Sequence, residues 1–149
     1  MGQETFKYAD ELANICALGT ACPPPDAAQR STKAYRWVKQ SISADCFSPV
    51  AKRNPKRLLN EDDPHRRCSC WGLSLHGNLK ASVAAFQKLE VSVPNARKIF
   101  GGWVAEGDVL PNHGKCTSPD RYAHFDLHEY ANSSVRQAFS VLQSIPVQP

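Results

Sequence analysis

The chain has 149 residues, 42% of them hydrophobic and 21% charged, and its 18 basic and 14 acidic side chains give a formal charge of +4. This composition excludes a collagen-like or a disordered chain, and a chain of about 150 residues can bury one real core without metal or disulfide staples. No apolar stretch approaches the roughly 18 residues of a membrane span, so no membrane association is expected.

Met1 to Phe6 has no basic region and no apolar run, so it does not read as a secretory signal. Gly2 is set aside as a myristoylation site because Phe6 occupies the Ser/Thr position. A cytoplasmic setting follows as the expectation. The six cysteines, Cys16, Cys22, Cys46, Cys68, Cys70 and Cys116, are then expected to be free thiols. Cys68-Ser-Cys70 is C-x-C rather than C-x-x-C, which argues against a zinc site.

Tyr8 to Leu18 carries an apolar stripe at helical spacing, and Gly19 suits its stop. Cys22-Pro23-Pro24-Pro25 forbids helix, and Pro25 to Ala28 could open a short one. Residues 1–30 are therefore read as a loosely attached helical segment of one domain spanning 1–149. Ala34 to Val38 is aromatic and β-branched and predicts the first strand, with Tyr35 and Trp37 on one face and Arg36 and Val38 on the other. Ser48 to Arg67, rich in Pro, Lys and Arg, reads as a long loop.

Cys68 to His76 predicts a strand, since Trp71, Leu73 and Leu75 alternate with Cys70, Gly72, Ser74 and His76. Asn78 caps a helix to about Leu89 with Leu79, Val83 and Phe86 on its stripe. A short turn surrounds Pro94 to Phe100. Trp103 to Leu110 predicts the third strand, Pro111 to Gly114 a turn, and Tyr122 to Glu129 the fourth strand. Asn132 or Ser133 then caps a last helix carrying Val135, Phe139 and Leu142, ended by Pro146. The order predicts an α+β domain with three or four helices and a small mixed or antiparallel sheet of about four strands.

The strongest polar pattern is His124-Phe125-Asp126-Leu127-His128. On a strand, His124, Asp126 and His128 share one face at roughly 6.6–7 Å intervals while Phe125 and Leu127 enter the core. Two imidazoles and a carboxylate on a rigid face suit general acid–base catalysis or a divalent metal, although a solvated strand face shows the same alternation. Ser74 and His76 share a face with Gly72, where a missing side chain could admit a ligand. No G-x-S-x-G elbow surrounds Ser74, so a nucleophilic role needs a base brought from elsewhere. Arg36, inside a strand, could hold a phosphate or carboxylate, or pair with Glu106 or Asp108.

The basic segment from Lys52 to Arg67 is interrupted by Glu61, Asp62 and Asp63 and holds no aromatic residue. No nucleic-acid-binding motif accompanies it, so nucleic acid is not an expected partner.

Cys70-Trp71-Gly72-Leu73-Ser74-Leu75, Val104 to Gly114 and His124 to His128 resemble landmarks of a set of short uncharacterised bacterial proteins. A strand arginine, a strand serine followed by a helix, and a late polar strand are also similar in layout to ADP-ribosyltransferase-like domains. That resemblance implies places for Arg36, Ser74, and Glu106 or the His124–His128 strand. No clear acidic catalytic motif stands in the late strand.

Two functional readings follow. The first is a small cytoplasmic bacterial accessory or interaction module with a protein partner, no catalysis and no cofactor. Its exposed candidates are the basic segment and the His113–Asp120 loop. The second is a nucleotide- or phosphoester-processing enzyme, ADP-ribosyltransferase-like in one version. Its catalytic residues are His124, His128, Asp126 and Ser74. Arg36, His76 and Glu106 bind ligand, and NAD or a divalent metal is the cofactor this reading admits. The enzyme reading predicts that His124 and His128 converge with Arg36 and Ser74 on one pocket. The first predicts separated, solvated histidines.

Overall fold

A computed structural model describes residues 5–148. Helices α1 (Ala9–Cys16), α2 (Val50–Arg53), α3 (Lys56–Leu59), α4 (Pro64–Cys70), α5 (Leu79–Ser92) and α6 (Ala96–Phe100) accompany six strands. These are β1 (Thr32–Val38), β2 (Leu73–His76), β3 (Trp103–Val109), β4 (Gly114–Cys116), β5 (His124–Glu129) and β6 (Phe139–Ser144). The strands form one sheet in the order β4-β5-β2-β1-β3-β6, and every pairing is antiparallel. The fold is α+β, with six strands rather than about four. Among the described residues no helix is long and apolar enough to cross a membrane.

The two additional strands come from segments with weak local signals. β4 is three residues long and pairs with β5 after the turn at Pro111–His113. β6 replaces the predicted last helix. Phe139 and Leu142 fit a helical stripe, but Phe139 and Val141 also alternate, and β3 offers an open edge. Gly107 settles the pairing. A Cβ there would meet the Phe139 ring and the Ala138 carbonyl at 2.7 Å, so glycine makes room for the aromatic ring across the ladder.

The predicted strand from Cys68 is shorter because a helix claims its first third. Asp63 caps α4 by accepting from the His65 amide at 2.9 Å, and Pro64 stands at the first turn. The strand begins only at Leu73. The proline-rich basic segment before it is likewise helical in part, through α2 and α3.

Alternation on β1 sorts the core. Ala34 and Val38 join Leu73, Leu75, Phe125, Leu127 and Phe139 in one buried cluster. Tyr35 and Trp37 pack on the other side with Phe86, Val104 and Ile145. The Trp37 indole N–H donates to Ser82 of α5 at 3.1 Å, which fixes that helix over the sheet.

The N-terminal segment expected to be loose is tied down in its described part. The Lys7 amide donates to the Glu129 carbonyl, and Ala28 and Cys116 exchange backbone bonds. Cys22 and Cys68 form a disulfide between this segment and α4, buried with Leu12 and Ile15. This corrects the free-thiol expectation for those two residues, because their Cα atoms lie 5.8 Å apart, within bridging range. Cys16, Cys46, Cys70 and Cys116 are free.

Candidate functional site

β1 and β2 share a single register pair, Tyr35 with His76. Beyond it the strands diverge, and the Arg36 side chain fills the gap. Its Nε donates to the Cys46 carbonyl at 2.6 Å, and its two terminal nitrogens donate to the Ser74 carbonyl at 2.8 Å and the Ser48 carbonyl at 3.2 Å. A buried carbonyl without a ladder partner needs a donor, and arginine supplies several from one planar group. Burial lowers the guanidinium to about 10, so it stays charged at neutral pH. It pairs with neither Glu106 nor Asp108. Both of those carboxylates face Lys33, at 3.6 and 3.9 Å.

A cavity of about 400 Å³ opens at this divergence. Arg36 forms its inner wall, Ser74, His76, His124 and Asp126 line it from β2 and β5, and Arg53 and Arg57 line it from the basic segment. Its floor is the register of β2 on β5, in which Ser74 lies opposite Asp126 and His76 opposite His124. Alternation aims all four side chains out of the core that Leu75, Phe125 and Leu127 enter.

Within the cavity the exposed Ser74 hydroxyl lies 2.6 Å from His124 Nε2. The other imidazole nitrogen, Nδ1, is 3.9 Å from Asp120 Oδ2. Asp120 is held in place because its Oδ1 accepts from the amides of Tyr122 at 2.8 Å and His124 at 3.0 Å. Burial opposes ionisation of Asp120, but those two amides together with the neighbouring His124 and His76 hold the carboxyl below its usual value. The tautomer with its proton on Nδ1 faces Asp120 and leaves Nε2 free to accept the serine proton.

Asp126 sits on the other side of the pair. Its Oδ2 accepts from the Ser69 hydroxyl of α4 at 2.8 Å, and Oδ1 is 3.8 Å from His124 Nε2. Burial pushes its carboxyl above the usual value, against the Ser69 hydrogen bond and His124. His76 packs its ring 5.4 Å from His124 and 5.8 Å from Trp37. Burial, with the neighbouring His124 as a smaller cause, lowers His76 to about 4, so it is a neutral wall at pH 7.

Two sequence candidates lie outside the cavity. Glu106 is on β3 against Lys33. His128 is 2% exposed and packed beneath Gly72, and neither of its ring nitrogens has a hydrogen-bond partner. Burial lowers it to about 4. A Cβ on Gly72 would meet Asp126 Cβ at 3.0 Å and the His128 ring at 3.3 Å, so glycine there lets the serine strand lie close over β5.

Asp120 and Ser69 were not singled out from the sequence, and Arg53 and Arg57 stood out only as members of the basic segment. Asp120 stands four residues before His124 in a Pro-Asp turn, which is the signal that could have placed it. The other three depend on how the segment before β2 folds back over the sheet. Among the described residues no group of three or more His, Cys, Asp or Glu is placed to hold a metal ion. No protein-family model, curated protein or solved structure matches this chain.

Proposed function

We propose that the protein is a phosphoester-processing enzyme with Ser74 as nucleophile and His124 as general base. The observation that carries the reading is the 2.6 Å contact between Ser74 Oγ and His124 Nε2 inside an open cavity that Arg53 and Arg57 also line. A hydroxyl is a weak nucleophile until an adjacent base removes its proton, and this pair satisfies that requirement.

As Ser74 Oγ attacks phosphorus, its proton passes to His124 Nε2 and the bond from phosphorus to the leaving oxygen breaks. That oxygen takes the proton from His124. Water then attacks the phosphoserine, giving a proton to His124, and the bond from phosphorus to Oγ breaks as Ser74 regains it. Charge on the non-bridging oxygens is balanced by the guanidinium groups of Arg53 and Arg57. Asp120 orients the imidazole, and Arg36 positions Ser74 through its carbonyl.

Of the two places the ADP-ribosyl-transfer version implies for its late polar group, Glu106 faces Lys33 outside the cavity and only the His124–His128 strand reaches it. Ester chemistry is favoured because there His124 is engaged with Ser74. The Cys22–Cys68 disulfide favours an oxidising compartment over the cytoplasm. The test is turnover of a panel of chromogenic phosphomonoesters and phosphodiesters. Ser74→Ala should lower kcat/KM by about 10³-fold or more, and His124→Ala by about 10²–10⁴-fold. Absence of turnover across the panel, or turnover indifferent to both substitutions, overturns the reading and leaves the non-catalytic module that binds a protein partner.

A further inference from the structure

A second, smaller cavity of about 270 Å³ adjoins the first. Trp37, Arg53 and Phe100 line both, so the two spaces share a wall. Lys39, Lys52 and Arg53 bring three cations to the smaller one, against Asp45 as the acid among its lining residues. Among the described residues none of these three cations has an ion-pair partner. Lys52 lies over the Tyr8 ring at 5.8 Å and Arg53 over Phe100 at 5.9 Å, so aromatic faces hold them while their charge stays uncompensated. Like charges gathered in a concave space concentrate a positive potential there and attract an anion.

Cys46 also lines this cavity. Its burial opposes ionisation. The amides of Lys39 and Ser43, the Ser43 hydroxyl and the Arg53 charge together outweigh burial and hold the thiol below its ordinary value.

We propose that the smaller cavity is a second anion subsite, seating a phosphate group of the substrate other than the one Ser74 attacks. The inference rests on the phosphoester reading and narrows it to small bisphosphorylated esters. Arg53, shared by both cavities, would contact both phosphates, and Lys39 and Lys52 would select for the second. Lys39 and Lys52 are exposed, so replacing them removes charge without opening the core.

The test is a titration of the full chain with inorganic phosphate, followed by amide NMR. The wild type should show two binding events, one shifting the amides of residues 39–46 and one shifting Ser74 and His124. The double variant Lys39→Ala/Lys52→Ala should weaken the first about tenfold or more and spare the second, whereas Arg57→Ala should weaken the second and spare the first. Ser74→Ala should keep both. A single event in the wild type, or two events that the lysine substitutions do not change, overturns the subsite. Two phosphate events with no turnover of any phosphoester would instead overturn the Ser74 reading while leaving the subsite standing.

Discussion

The inner wall of the main cavity and its open face hold the same kinds of residue in opposite states. At the inner wall Arg36 is 7% exposed and gives three donors to carbonyls of Cys46, Ser48 and Ser74. On the open face Arg53 and Arg57 are exposed and without ion-pair partners among the described residues, and Ser74 and His124 form a short pair reachable from solvent. Polar groups whose bonds are satisfied internally build the site. Polar groups left open can act on a ligand. His128 fits neither state, being buried with both ring nitrogens unpartnered.

The comparison predicts where substitutions hurt stability and where they hurt only chemistry. The largest stability loss should follow Arg36→Met. It removes the donor from one buried carbonyl, Cys46, and from the part-buried carbonyls of Ser48 and Ser74, and should cost about 3–5 kcal/mol, read as a shift in the denaturant midpoint. Arg36→Lys should recover little, since an ammonium cannot reproduce the planar fork. Ser74→Ala, on the open face, should stay within about 0.5 kcal/mol of wild type. Equal losses at the two positions would erase the distinction.

Gly72→Ala should be intermediate. The added methyl presses on Asp126 and the His128 ring, so a loss of about 1–3 kcal/mol is expected in the same assay. A further effect, comparable in size, is on acid sensitivity. His76 and His128 are lowered to about 4 in the fold, against about 6.5 for free histidine. Between those values the unfolded chain binds more protons than the folded one. Stability should therefore hold steady above about pH 6.5 and fall as pH drops toward 4, with up to roughly two protons taken up on unfolding. His128→Leu should remove about one of those protons, measured by comparing urea midpoints at pH 7 and pH 5.

The α+β class and the polar strand were legible because strong alternation needs no tertiary help. Phe125 and Leu127 enter the core, and His124 and Asp126 face the cavity. Arg36, Ser74, His76, His124 and Asp126, singled out one strand at a time, line one cavity. Their convergence depends on strand order, and periodicity carries no information about which strands are neighbours. β6 was illegible because Val135, Phe139 and Leu142 satisfy a helical stripe, and only the open edge of β3 with the gap at Gly107 selects extended chain. The Cys22–Cys68 bridge was illegible for a related reason. It joins residues 46 positions apart that meet only after α4 forms, and the Asp63-Pro64 cap that starts α4 lay in a stretch whose prolines and charges suggested loop. Arg53 and Arg57 belonged to the same stretch, so its charge looked solvated until the segment was placed over the sheet.

In the proposed mechanism His124 makes Ser74 a nucleophile. Mass spectrometry of the intact chain after reaction with an activated organophosphorus electrophile such as a fluorophosphonate reads this directly. One covalent adduct is expected, mapping to Ser74, absent in Ser74→Ala, and forming at least about a hundredfold more slowly in His124→Ala. Labelling elsewhere with Ser74 untouched, or labelling of Ser74 at the same rate without His124, would contradict it.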